Sequence, residues 1–266
     1  MRCLYCIAGL LYRMDYSITY YMLLVVTGLV AGVINTLAGG GSNLTLPALM
    51  ISGMPADVAN ATNRVGVFMQ CLVGIKGFKK HDKLDTQDMV PVLVPTVIGS
   101  VFGSLAAALL PTLWLKPLLL STMIGMSLLI LIKPSVIAPP DGTPVYKVKE
   151  RPLAWVGLFI CGVYGGFVQA GVGFIMITVL AGTLRYDLVR TNALKLLCTA
   201  ALTSIALVVF IIDDLIQWLP GLALALGSMV GAAIAVRIAL NISQKAMKWF
   251  LFLMTLCASA AALFIA

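Results

Sequence analysis

An apolar run from about Thr19 to Ala38 meets the roughly 20 residues that a bilayer-spanning helix needs, then stops at Gly39-Gly40-Gly41-Ser42-Asn43. Three adjacent glycines suit no continuous helix. In hydrocarbon, bare backbone groups find no water, so such a break must line a cavity or be packed in protein. A thinner echo follows at Gln169-Ala170-Gly171-Val172-Gly173. Broken apolar segments at corresponding places in two halves of a chain point to a transporter's binding site.

Composition narrows the class. Of the 266 residues, 61% are hydrophobic and 11% charged, whereas a soluble domain carries about 25% charged residues. This is the composition of a polytopic membrane protein. The net charge of +8 comes mostly from short loops, where membrane orientation accounts for it, so no nucleic-acid partner is expected. Cys71, Cys161, Cys198 and Cys257 lie in apolar segments and read as small buried hydrophobes. Cys3 and Cys6 form a lone C-x-x-C, a thin basis for metal or redox chemistry. The single histidine, His81, sits in a charged loop. No metal, cofactor or catalytic residue is therefore expected.

Residues 1–18 read as a lead-in segment too short to span. Residues 19–133 form a first repeat. In it the broken run is followed by a short apolar piece, Leu44 to Ile51, and a stop at Ser52-Gly53-Met54-Pro55. A helix from Pro55 to Phe78 comes next, then spans from Met89 to Leu110 and from Leu113 to Ile132. Residues 134–152, rich in proline and charge, make a cytoplasmic linker. Residues 153–266 repeat the plan: Leu153 to Ala170, the second break, Phe174 to Ala181, then Leu188 to Ile212, Ile216 to Val236 and Met247 to Ala266. Trp114, Trp155, Trp218 and Trp249 fall near span ends as interfacial anchors.

The halves resemble each other. Gly28 to Gly32 aligns with Gly162 to Gly166, Asn35 with Gln169, and Thr62-Asn63-Arg64 with Thr191-Asn192-Ala193, with the spacing shifting by a few residues between anchors. Each half crosses the bilayer an odd number of times, so the halves sit upside down relative to each other. The expected fold is all-α: two inverted repeats, each a glycine-broken helix pair plus three transmembrane helices. With the N-terminus outside, Lys76, Lys79, Lys80, Lys83, Lys133, Lys147, Lys149, Arg151, Arg185, Arg190, Arg237, Lys245 and Lys248 all fall inside. The positive-inside rule thus places both termini outside a multi-pass protein of the cytoplasmic (inner) membrane.

Arg64 and Lys195 are charges within long apolar stretches, which are rare and functional by default. They lie about 10–14 Å from their helix starts at 1.5 Å per residue. Around them the breaks would gather Asn35, Ser42, Asn43, Thr62, Asn63, Gln169, Thr191 and Asn192, with free backbone N–H groups at Gly40, Gly41, Gly171 and Gly173. All of these donate hydrogen bonds to an anion. No Asp or Glu lies deep in a span, which disfavours a metal cation. Competing readings stand beside this one. Asn and Thr hold membrane helices together without touching substrate. Gly28, Gly32, Gly162 and Gly166 suit close helix packing. Arg64 snorkels outward or pairs with Asp57 in one reading, and Lys195 reaches Asp187 in another.

Gly39-Gly40-Gly41 with Leu46-Pro47, Gly53-Met54-Pro55, Ala61-Thr62-Asn63, Gly171-Val172-Gly173 and Arg190-Thr191-Asn192-Ala193-Leu194-Lys195 together resemble the TauE/SafE sulfite exporter family of bacterial and archaeal membrane proteins. The resemblance covers roughly residues 20–266. It implies a secondary transporter exporting a small anion, sulfite or a small organosulfonate, by alternating access. An anion channel, or a facilitator for another small oxyanion or carboxylate, is the alternative reading. The lipid bilayer is the surrounding partner, and the sequence leaves a homodimer open.

Overall fold

A computed structural model describes residues 17–84, 88–110 and 144–242, together with positions 114, 117, 118, 121 and 246. The lead-in segment with Cys3 and Cys6, most of the span expected from Leu113 to Ile132, much of the linker, and the last span with Trp249 and Cys257 lie outside the described residues. The described elements are all helical. They are α1 Ile18–Leu37, α2 Ser42–Met50, α3 Ala56–Lys80, α4 Met89–Leu109, a 3-10 turn at Val148–Glu150, α5 Pro152–Phe167, α6 Val172–Ile177 running into a π-helical turn at Thr178–Thr183, α7 Leu188–Ile212 and α8 Trp218–Asn241.

Local chemistry sets the ends. Ser17 Oγ accepts the Tyr20 N–H at the start of α1. Asp187 accepts the Val189 and Arg190 N–H groups at 2.9 Å and so starts α7. Both are N-cap side chains satisfying donors that the first helical turn leaves free. Pro55 precedes α3, and Pro152 opens α5, where a missing N–H costs nothing.

Four helices, α1, α4, α7 and α8, are long and apolar enough to cross a membrane. The 25-residue α3 is as long as α7 but carries its polar side chains inward: Asn60, Thr62, Asn63, Arg64 and Gln70 are all buried. The outer surface is the reverse. Val26, Val94, Phe102, Ile160, Leu226 and Val230 are exposed. An apolar exterior around a polar interior is the arrangement that lipid, rather than water, favours. Trp114, Trp155 and Trp218 are exposed as the anchor reading requires, and Cys71, Cys161 and Cys198 are buried free thiols.

The halves pack across each other. Helix α1 packs on α8 and α5 on α4; α3 packs on α8 and α7 on α4; α3 and α7 meet. Exchanging the halves maps this set of neighbours onto itself. Small residues make the close pairs. A Cβ on Gly28 would lie 3.2 Å from the Ser228 backbone nitrogen, and one on Gly162 would lie 3.0 Å from that of Ser100. Gly32 stands over Ser228 and Gly166 over Ser100 in the same way, so these four glycines serve helix packing.

The basic loops gather at one end. Tyr146 N–H donates to the Leu184 carbonyl, and the Arg151 and Arg185 guanidinium groups both lie over the Tyr146 ring. Beside them Arg190 pairs with Asp88 at 2.8 Å, and the Tyr186 hydroxyl donates to the same carboxylate. Two cavities, of about 250 and 440 Å³, flank this pair; Lys147 and Lys149 line one, Lys83 and Asp187 the other. His81 is exposed at this end.

Candidate functional site

Both apolar runs close in the same turn. At the end of α1 the Ala38 and Gly39 N–H groups converge on the Ile34 carbonyl; at the end of α5 the Val168 and Gln169 N–H groups converge on that of Tyr164. Gly39 has φ +94 and Gln169 φ +65. By this turn Gln169 matches Gly39, whereas the sequence alignment pairs it with Asn35. The reason is one helical turn. Seven positions separate Gly32 from Gly39, and three separate Gly166 from Gln169, so α1 runs about a turn further past its packing glycine.

The two breaks touch. A Cβ on Gly39 would lie 2.6 Å from the Gly173 carbonyl carbon, and Gly40 faces the Phe174 ring. Gly41 packs on the Ala31 carbonyl and the Asn35 Cβ of its own hairpin. Within the breaks the carbonyls of the turn residues accept the N–H groups that follow them. Asn43 N–H donates to Gly40, Leu44 and Thr45 N–H to Gly41, Val172 N–H to Gln169 and Phe174 N–H to Gly171. Gly171, at φ +75, is the turn residue that starts α6. The glycines supply close approach, and Gly39 and Gly171 left-handed turns; buried polar side chains add further donors.

Those side chains cross between halves. Arg64, fully buried on α3, donates from Nη1 to the Gly165 carbonyl at 2.5 Å and from Nη2 to that of Gly166 at 2.9 Å. Asn60, one turn earlier, donates to the Phe167 carbonyl at 2.9 Å. From the other half, Lys195 on α7 donates to the Thr36 carbonyl at 2.9 Å and to Asn192 Oδ1 at 2.8 Å. Each broken helix thus ends on a cation from the opposite half, which satisfies carbonyls that a helix C-terminus leaves free and opposes its dipole. Neither the snorkelling reading nor the Asp57 pair holds for Arg64, and Lys195 turns to Thr36 rather than Asp187. A buried charge is tolerated when it is hydrogen-bonded, and carbonyls of the opposite half supply the acceptors.

The remaining candidates divide. Asn63 accepts from Thr45 Oγ1 at 2.6 Å and donates to Ser42 Oγ at 3.1 Å, tying α2 to α3. Gln169 Nε2 donates to Thr203 Oγ1 at 2.7 Å, and the Tyr164 hydroxyl donates to the Ala170 carbonyl. Thr62 and Thr191 are turned to structural duty: Thr62 Oγ1 accepts the Gln217 N–H, and Thr191 Oγ1 donates to the Tyr186 carbonyl. Several buried polar atoms have no partner among the described residues: Thr36 Oγ1, both amide atoms of Asn43, Asn60 Oδ1, Gln169 Oε1, Gln70 Nε2 and Asn192 Nδ2. Thr36, Asn60 and Gln70 are absent from the candidates drawn from sequence. Their one signal is a polar residue within an apolar run. Among the described residues no Asp or Glu is buried and no cluster suits a metal ion.

The chain is similar to several known proteins. A probable membrane transporter protein of Haemophilus influenzae is 26% identical over 233 residues, covering 86% of this chain and 88% of its own length. The probable membrane transporter protein YfcA of Escherichia coli is 25% identical over 236 residues, at 89% and 87% coverage. A Sinorhizobium relative, probable membrane transporter protein ORF9, is 24% identical over 236 residues, at 88% of both chains. No solved structure matches the chain. The family described as sulfite exporter TauE/SafE matches residues 24–262, and with nearly the whole chain inside that match, this protein belongs to the TauE/SafE family.

Proposed function

We propose that the protein is a secondary transporter that exports a small anion, sulfite or a small organosulfonate, across the cytoplasmic membrane. One observation carries the reading. The touching breaks are surrounded by buried hydrogen-bond donors and two buried cations, with no buried carboxylate among the described residues. Such an interior attracts an oxyanion and repels a cation. The family's name, and those of its relatives as probable membrane transporter proteins, agree with it.

The two halves act as inverted repeats, and alternating access comes from one moving against the other. Support for this is the neighbour set that survives exchange of the halves. The end bearing Arg151, Arg185 and Arg190 faces the cytoplasm by the positive-inside rule, with both termini outside. The side-chain donors around the breaks bind the substrate, chiefly Asn192 and Lys195, while Asn63 and Gln169 hold neighbouring segments in place.

The test is uptake into proteoliposomes from a panel of sulfite, organosulfonates, carboxylates and inorganic cations, comparing wild type with Asn63→Ala, Asn192→Ala and Lys195→Ala. Saturable, counter-exchanging anion flux that the variants lose supports the reading. Cation flux without anion flux sinks it.

A further inference from the structure

The two broken helices end on cations, but the groups beside those cations differ in chemistry. At the end of α1, Lys195 Nζ spends two of its three N–H groups, on the Thr36 carbonyl and on Asn192 Oδ1. An ammonium group only donates, so this bond fixes the Asn192 amide with its oxygen toward Lys195 and its Nδ2 away. That Nδ2 has no partner among the described residues, and neither has Thr36 Oγ1. Thr36, Asn192 and Lys195 are each at most 1% exposed. Three unused donors, one of them on the cation, therefore sit on three residues that Lys195 joins by hydrogen bonds, in surroundings where an unmade hydrogen bond is costly.

At the end of α5 the free atoms are mixed. Arg64 commits both terminal nitrogens to the Gly165 and Gly166 carbonyls and packs against the Phe210 ring, 5.6 Å from its centroid. Its Nε is unpartnered. Asn60 shares its helix face at i, i+4 and donates Nδ2 to the Phe167 carbonyl. A carbonyl only accepts, so this amide too is fixed, and it leaves Oδ1 as the free atom. Gln169 Oε1 at the same break is also unpartnered. Beside Arg64 the free atoms are two acceptor oxygens, which repel an anion, and the single Nε–H, whereas Thr36 Oγ1, Asn192 Nδ2 and the third N–H of Lys195 can all donate.

Resting on the anion-transport reading above, we propose that the substrate is seated on one break only, at Thr36 Oγ1, Asn192 Nδ2 and the third N–H of Lys195, and that this seat selects small oxyanions of a single negative charge. Arg64 is a positioning residue that holds the end of α5. The charge class follows from the count of cations. One ammonium, facing no carboxylate among the described residues, neutralises one negative charge; a dianion would keep a net charge buried away from water. Three donors also match the three oxygens of a sulfonate or hydrogen sulfite group.

The experiment uses the full chain in proteoliposomes, with methanesulfonate as the monoanion and sulfate as the dianion, measured by tracer counterflow. Wild type is expected to exchange methanesulfonate and to exclude sulfate. Asn192→Asp keeps the acceptor for Lys195 and sets a carboxylate oxygen in place of the free donor, so the KM for methanesulfonate rises more than tenfold. Thr36→Val removes only the hydroxyl and raises KM roughly tenfold, as for one lost hydrogen bond to a charged group; Thr36→Ser restores it. Stabilisation of the detergent-purified protein by methanesulfonate reads binding without flux, and it disappears in Asn192→Asp. Wild-type KM in both Asn192→Asp and Thr36→Val, alongside normal anion exchange, overturns the one-sided seat and leaves the transporter reading standing. Equal exchange of sulfate overturns the charge class. Wild type that moves neither these anions nor sulfite brings down the transporter reading and this inference with it.

Discussion

Gly39 and Gly173 stand backbone to backbone, so close that a Cβ on Gly173 would lie 2.9 Å from the Gly39 carbonyl oxygen. They join the break after α1 to the start of α6, and no side chain fits between them.

Gly39→Ala meets two penalties. Its φ of +94 is a left-handed conformation that costs an L-residue roughly 1–2 kcal/mol, and the added methyl overpacks the contact by about 1–3 kcal/mol. Gly173→Ala incurs only the second. Thermal unfolding in detergent should rank wild type above Gly173→Ala and Gly173→Ala above Gly39→Ala. Equal melting of all three would show that the breaks do not touch.

Arg64→Met keeps most of the volume but strips two carbonyls of their donors. At about 1–3 kcal/mol for each buried group left unsatisfied, the loss is roughly 2–6 kcal/mol. Arg64→Lys reaches one carbonyl at a time and should fall between. Hydrogen exchange at Val168 and Gln169, just past the α5 end, should quicken in step, and unchanged exchange there would refute the capping role.

The α1–α8 contact depends on glycine. A Cβ on Gly227 would come 2.8 Å from the Leu29 backbone nitrogen. Gly227→Val should push the helices apart and cost about 1–3 kcal/mol or more. Gly103→Val, whose Cβ position lies 2.9 Å from the Phe167 nitrogen, should cost a similar amount at the α4–α5 contact. Melting curves of the two variants check both the size and the match.

Asp88 joins the halves at the basic end, with Arg190 and Tyr186 on its Oδ2 at 2.8 Å each. The pair is only 13–20% exposed, so Asp88→Ala should cost about 1.5–3 kcal/mol, the range for hydrogen bonds to charged groups. Asp88→Asn keeps an acceptor for Tyr186 and should lose less. The gap between wild type and Asp88→Ala should narrow in high salt, because the partly exposed ion pair is screened. Melting at two ionic strengths measures it.

Helix positions were legible because hydropathy and caps are local. The helix expected from Leu188 to Ile212 is found at those residues, with Asp187 as its N-cap. The first span, expected from Thr19 to Ala38, runs Ile18–Leu37. The site was legible only as a set of residue types. The chain showed Arg64 and Lys195 as buried charges, yet their partners lie 101 and 159 positions away, at Gly165 and Thr36. Sequence order says nothing about which helix end will stand opposite a given side chain. That depends on α3 and α7 crossing, on α1 running a turn longer than α5, and on two glycines letting the breaks meet. A buried donor binds whichever acceptor the packing presents, so the tertiary structure alone decided which helix end each cation holds and what free atoms stand beside it.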